Sequence, residues 1–124
     1  MSNQQNEQVR NVLQQLETQY NEARKALSIT SQTLAGRERE RRANVLTLRE
    51  IEALPRGGKE APTCYKGVGR MFMQESRNNI ENTLKGREKE IAEAVNVLAK
   101  KAKYLQGEMA TAEGSLRDLM RTSQ

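Results

Sequence analysis

The 124-residue sequence has no histidine, no tryptophan and a single cysteine, Cys64. Without histidine the imidazole ligands of common zinc and haem sites are missing, and one cysteine cannot form a disulfide within the chain. Cys64 has no identifiable base to activate it as a nucleophile, and the many carboxylates fall on what read as solvated helix faces. We therefore expect no enzymatic activity, no metal site and no cofactor.

Apolar residues are also scarce. Only 35% of the residues are hydrophobic and 3% are aromatic, whereas 30% are charged. An ordinary globular domain is about 45–50% apolar, so a large core is excluded. The length suits one domain, spanning residues 1–124. That domain must be either disordered or an elongated helical structure that buries only a narrow apolar stripe.

Long hydrophobic runs are absent as well. No apolar stretch approaches the roughly 18–20 residues that cross a bilayer. Residues 2–8 are polar, without the basic and apolar regions of a signal peptide. We expect a cytoplasmic protein with no membrane partner.

The heptad pattern of apolar residues indicates that the chain is helical and not disordered. In the first segment seam residues follow one another at alternating steps of 4 and 3, and only Thr30 among them is polar before the pattern dissolves at Arg37 and Arg41. This seam predicts a coiled-coil helix over residues 7–42. Its members are Val9, Leu13, Leu16, Tyr20, Ala23, Leu27, Thr30 and Leu34.

A second seam occupies the last segment, where Glu88 is the one interruption. It predicts a coiled-coil helix over residues 76–121, with Ser76 as the N-cap. The seam consists of Leu84, Ile91, Val95, Leu98, Ala102, Leu105, Met109, Ala112, Leu116 and Leu119.

Three short elements are predicted between the helices. Thr47 and Glu50 have the spacing of a capping box and Pro55 follows, which predicts a short helix over 47–54. Both prolines and two glycines fall in residues 55–62, a loop. Residues 63–75 predict a β-hairpin, because Gly69-Arg70 suits a two-residue type II′ turn. The alternative for this stretch is a buried loop packed on the chain's own helices.

The predicted hairpin indicates assembly. In its register Val68 faces Met71 and Lys66 faces Met73, while Tyr65 and Phe72 lie on the opposite side, so both faces carry apolar groups. A lone hairpin is marginally stable and has two unpaired edges, so we expect strands from other chains to complete it. The two seams most simply cover each other in an antiparallel coiled-coil hairpin, although separate intermolecular coiled coils also satisfy the periodicity.

The segment "YKGVGRMFMQES", residues 65–76, resembles the hairpin of β-type prefoldin subunits. The "LTLREIEAL" segment, residues 46–54, is similar to the short connecting helix of that family. The resemblance implies a mainly α fold in which two long helices form an antiparallel coiled-coil hairpin, joined through a short helix and one β-hairpin. It also implies that the hairpin completes a β-barrel shared between subunits.

The same resemblance implies a function. Prefoldin is a cytosolic chaperone of two α-type and four β-type subunits that binds unfolded actin and tubulin at its coiled-coil tips. It passes them to the cytosolic chaperonin without ATP. The implied assembly residues are Tyr65, Gly67, Val68, Gly69, Met71, Phe72 and Met73. The implied client-binding residues are Val9, Val12, Leu13, Leu116, Leu119 and Met120, and the alternative is that they only close the end of the coiled coil.

A net charge of +5 raises nucleic-acid binding as an alternative. It would depend on four arginines, but two glutamates lie among them and no aromatic residue is near for base stacking. Nucleic acid is therefore not the expected partner, and a plain structural tether is the third interpretation. The four arginines on which nucleic-acid binding would depend are Arg37, Arg39, Arg41 and Arg42.

Overall fold

The computed structural model describes residues 2–59 and 61–122. Their order is helix α1 (Ser2–Glu52), strand β1 (Tyr65–Val68), strand β2 (Met71–Gln74) and helix α2 (Arg77–Thr122). The predicted mainly helical architecture, two long helices separated by one β-hairpin, is confirmed.

Helix α1 is continuous where the sequence predicted a helix over 7–42 and a separate short helix over 47–54, and that division is wrong. Beyond Arg41 the steps of 3 and 4 resume at Asn44, Leu48 and Ile51. Asn44 and Leu48 are buried and Ile51 is half-buried. The polar positions therefore weaken the seam without ending the helix, because packing against α2 continues on the same face.

The expected capping box at Thr47 is also absent. Thr47 lies inside α1, and its Oγ1 donates a hydrogen bond to the carbonyl oxygen of Ala43 at 2.9 Å. The helix ends at Glu52, three residues before Pro55, which cannot continue a helix. Residues 55–59 and 61–62 of the predicted loop have neither helix nor strand, and Glu60 lies outside the described residues.

Helix α2 begins after the predicted N-cap. The backbone N–H of Asn79 donates to Ser76 Oγ at 3.2 Å, the contact that an N-cap serine makes with the first turn. The helix runs to Thr122, one residue past the predicted end.

The chain divides into two compact units, each holding part of both helices. One comprises the described parts of residues 1–34 and 97–124, and the other comprises residues 35–96. In the first unit Gln19 Nε2 donates to Glu108 Oε2 at 3.4 Å. In the second Asn44 Nδ2 donates to the Leu84 carbonyl oxygen at 2.9 Å. In both units α1 thus contacts α2 of the same chain.

The hairpin has the predicted register. Val68 pairs with Met71 and Lys66 with Met73. Gly69 has φ +61°, and among residues 2–59 and 61–122 only glycines have positive φ, so Arg70 has negative φ and the turn has the type II′ pattern. The strands are shorter than the predicted 63–75, although the N–H of Glu75 donates to the Cys64 carbonyl oxygen at 3.0 Å and extends the pairing by one step.

Within the described ranges, neither helix contains a stretch that is both long and apolar enough to span a lipid bilayer.

Candidate functional site

The β-hairpin exposes apolar side chains on both of its faces, and we call these residues the hairpin surface. All eight strand residues are exposed, including Phe72 at 76% and Met71 at 71%. Among the described residues the sheet has only two strands, so each outer edge lacks a strand partner. Exposing unpaired strand edges and a large apolar patch to water is unfavourable in free energy. The exposed large apolar residues are Tyr65, Val68, Met71, Phe72 and Met73.

The two hairpin glycines differ in what they require. Gly69 occupies the turn with positive φ, a conformation that other residues rarely adopt. Gly67 pairs with Phe72 in the register, and a Cβ added at Gly67 would lie 3.7 Å from the Phe72 ring. This is an ordinary van der Waals distance, so Gly67 is not required for space.

A second apolar surface lies where the start of α1 meets the end of α2, and we call it the helix-end surface. It is an open groove of about 320 Å³ in which Val9 and Val12 of α1 face Leu119 of α2, with Gln5 and Gln8 at its border. Three of the six predicted client-binding residues are thus brought together. Their role stays a prediction.

The other three predicted residues occupy different environments. Leu13 and Leu116 are half-buried, as expected for seam residues. Met120 is exposed but does not line the groove.

Sequence reasoning missed Arg77, the first residue of α2. Its guanidinium donates hydrogen bonds to four backbone carbonyl oxygens at the end of α1 and just beyond it. A helix leaves its last carbonyls without intrahelical partners, so Arg77 acts as a side-chain cap for α1. The accepting oxygens and distances are Ile51 (2.6 Å), Leu54 (2.7 Å), Glu52 (3.0 Å) and Pro55 (3.1 Å).

Glu81, a buried carboxylate, holds Arg77 in place. Arg77 Nε donates to Glu81 Oε1 at 2.9 Å, and Arg56 reaches the same oxygen at 3.3 Å. The hydrogen bond from Arg77 lowers the pKa of Glu81, helped by the charge of Arg56 and opposed by burial. The signal was present in the sequence, since steps of 3 and 4 upstream of Leu84 arrive at Glu81 and Arg77.

The arginines of the nucleic-acid alternative are partly neutralised. Arg37 Nη1 lies 3.2 Å from Glu40 Oε2, an exposed ion pair one turn apart on α1. This pairing is typical of a solvated helix face with mixed charges.

Cys64 is a free, half-buried thiol directly before β1. In residues 2–59 and 61–122, no three side chains of the metal-ligating types are grouped so as to hold an ion.

Comparison with known proteins identifies the family. The family described as "Prefoldin subunit" matches residues 14–123. A probable prefoldin subunit 1 of Dictyostelium discoideum is 30% identical over 97 residues, covering 78% of this chain and 81% of the relative. Prefoldin subunit 1 of Arabidopsis thaliana is 31% identical over 87 residues, covering 70% of this chain and 65% of the relative.

A solved structure has the same fold. The crystal structure of the prefoldin beta subunit from Thermococcus strain KS-1 superposes with a TM-score of 0.76 over 92% of this chain and 93% of that chain, at 23% identity.

These matches confirm the resemblance first noted in the hairpin segment. The family match spans most of the sequence, and the relatives include subunits named prefoldin subunit 1. Prefoldin is a chaperone-type, non-enzymatic family. The chain therefore belongs to the prefoldin subunit family.

Proposed function

We propose that the chain is a subunit of a hetero-hexameric prefoldin in which its hairpin contributes two strands to a β-barrel shared with other α-type and β-type subunits. The observation that carries this proposal is the hairpin surface. It has two strands whose outer edges lack a partner among the described residues, and large apolar side chains on both faces.

Strand addition from neighbouring subunits meets every requirement of that surface. It supplies backbone partners to the open edges and buries the apolar side chains. A homodimer made through the coiled coil alone would leave the hairpin exposed.

The proposal also gives the helix-end surface a role. Here the chain binds unfolded polypeptides in the cytoplasm, such as actin and tubulin, and delivers them to the cytosolic chaperonin without ATP. Two observations support this role: Val9 and Val12 are exposed, and the groove is open and apolar. Helix ends also open at low free-energy cost, which lets them adapt to irregular clients.

Native mass spectrometry of the chain, alone and co-expressed with the other prefoldin subunits, tests the assembly. We expect a defined hetero-hexamer that contains this chain. A Val68→Asp variant should lose about tenfold or more in assembly, because it places a charge on the hairpin surface.

Val97→Asp is the matched control, since Val97 is an exposed valine on α2. It should assemble as the unmodified chain does. A homodimer that ignores the other subunits, or equal effects of the two substitutions, would contradict the proposed role of the hairpin.

A further inference from the structure

A cleft of about 390 Å³ lies at the base of the hairpin, and we call it the base cleft. Three parts of the chain form its walls, namely the end of α1, the root of the hairpin and the first turns of α2. Ile51, Ile80 and Leu84 provide half-buried apolar side chains. Cys64, directly before β1, is also half-buried.

We propose that the base cleft is a socket for an apolar side chain from the hairpin of a neighbouring, non-identical prefoldin subunit. This inference rests on the proposed function, because it requires the hetero-oligomer. It adds the specific place on this chain where one neighbour's side chain is received.

The position of the cleft along β1 favours an incoming strand. Cys64, Tyr65 and Lys66 are consecutive, and all three line the cleft. Cys64 and Lys66 point to the same face of the hairpin, because side chains alternate along a strand. Glu75, whose N–H donates to the Cys64 carbonyl oxygen, lies opposite Cys64 on that face and also lines the cleft, so the cleft borders this face at the root of the hairpin. The outer edge of β1 has no strand partner among the described residues, since β1 pairs only with β2. A strand added there would direct alternate side chains to the face that borders the cleft.

The lining favours an apolar side chain. The aliphatic residues are half-buried, whereas the cations Lys66 and Arg87 are exposed, and Glu75 is half-buried. A side chain that fills the cleft removes the aliphatic surface from water, while the two cations can pair with an acidic residue beside it.

The hairpin of this chain illustrates the type of donor. It holds Met71 and Phe72 out into solvent with more than two thirds of each exposed. A related hairpin on a neighbouring subunit would offer side chains of the same kind to this cleft. An unfolded client, in contrast, has no preformed strand that would pair with the edge of β1.

Cys64 is the only cysteine of the chain and provides a direct test. Its alkylation rate is measured in the isolated chain and in the hetero-hexamer. We expect alkylation to be about tenfold slower in the hexamer, because an occupied cleft blocks access to the thiol. A Cys64→Ser, Thr111→Cys variant is the control. Its exposed cysteine on α2 should react equally fast in both states.

Filling the cleft is the second test. Thr83 is an exposed cleft residue of α2, and Thr83→Trp should lower the yield of hexamer about tenfold while the helical circular dichroism is unchanged. Thr111→Trp, on the same helix outside the cleft, should assemble normally. If Thr83→Trp loses its helical signal, the alkylation rate of Cys64 decides the question alone.

The occupant is identified by replacing the apolar hairpin residues with alanine in one partner subunit at a time. In one such hexamer Cys64 should regain its fast alkylation. A hexamer of unmodified subunits in which Cys64 reacts as fast as in the isolated chain would overturn the socket but leave the proposed function intact. So would normal assembly of Thr83→Trp, or protection that no partner hairpin relieves. Failure of the unmodified subunits to form a hexamer would overturn both.

Discussion

Arg77 joins the end of α1 to the start of α2 through one side chain. Four carbonyl oxygens accept from its guanidinium, and Glu81 supplies the compensating charge. Burying an arginine is unfavourable unless its donors are satisfied, and here five acceptors surround it. The hairpin directly precedes Arg77 in sequence, so this contact also restrains its root.

Replacing Arg77 with methionine should lower the thermal unfolding midpoint of the chain by about 5–10 °C, because it leaves Glu81 buried with one weaker partner and exposes the end of α1. Thermal unfolding followed by circular dichroism measures the change. Arg117→Met is the matched control, because the ion pair of Arg117 with Glu113 is 68% and 59% exposed. It should shift the midpoint by less than about 2 °C. Equal shifts would show that Arg77 is only a surface residue.

At the scale of elements, the hairpin turn is determined by local sequence, whereas the length of α1 is determined by tertiary contacts. The turn type of the hairpin is determined by its own two central residues, because Gly69 adopts the positive φ that a type II′ turn requires at its first position, whereas Arg70 keeps a negative φ. The length of α1 depends on contacts with α2. Asn44 is buried in α1 because its side-chain amide donates a hydrogen bond to the Leu84 carbonyl oxygen of α2.

The turn gives a test of the hairpin alone. Gly69→Ala should cost about 1–2 kcal/mol, because alanine is strained at positive φ. We expect less hexamer by native mass spectrometry and unchanged helical circular dichroism, since the helices do not depend on the turn. Gly57→Ala is the control in the loop before the hairpin, where an added Cβ meets no described atom within 4 Å. Hexamer yields that do not distinguish the two variants would contradict a role for the turn in assembly.

At the scale of the whole molecule, the chain carries two apolar surfaces with different chemistry. The hairpin surface has unpaired strand edges and therefore suits partners that add strands. The helix-end surface consists of helical side chains, apolar in its centre with Gln5 and Gln8 at its border, and it has no strand edge to which a partner strand could be added. This difference is the physical basis of our proposal that the first surface serves assembly and the second serves client binding.

Replacing Val9 and Val12 with serine should separate these roles. The variant should form the hexamer normally but require about two- to fivefold more protein to suppress aggregation of unfolded actin, because apolar contact area is lost. Light scattering of diluted, denatured actin measures this effect. Serine at Ile29 and Val97, each 65% exposed and outside the groove, is the control. Loss of activity in the control alone would place the client site elsewhere.

The sequence by itself determined the features that depend on local chemistry. The alternating steps of 3 and 4 predicted both helices, Ser76 predicted the start of α2, and Gly69 predicted the register of the hairpin. These predictions succeeded because periodicity, capping and turn conformation are decided by residues a few positions apart.

Only the tertiary structure decided the features that need a partner from a distant part of the chain. Asn44 looked like part of a break between helices until α2 supplied an acceptor for its amide. Arg77 and Glu81 had no assigned role until the end of α1 and the residues just beyond it supplied four carbonyl oxygens. The physical reason is that a polar side chain is buried only where its hydrogen bonds are met, and the groups that meet them here lie more than 20 residues away.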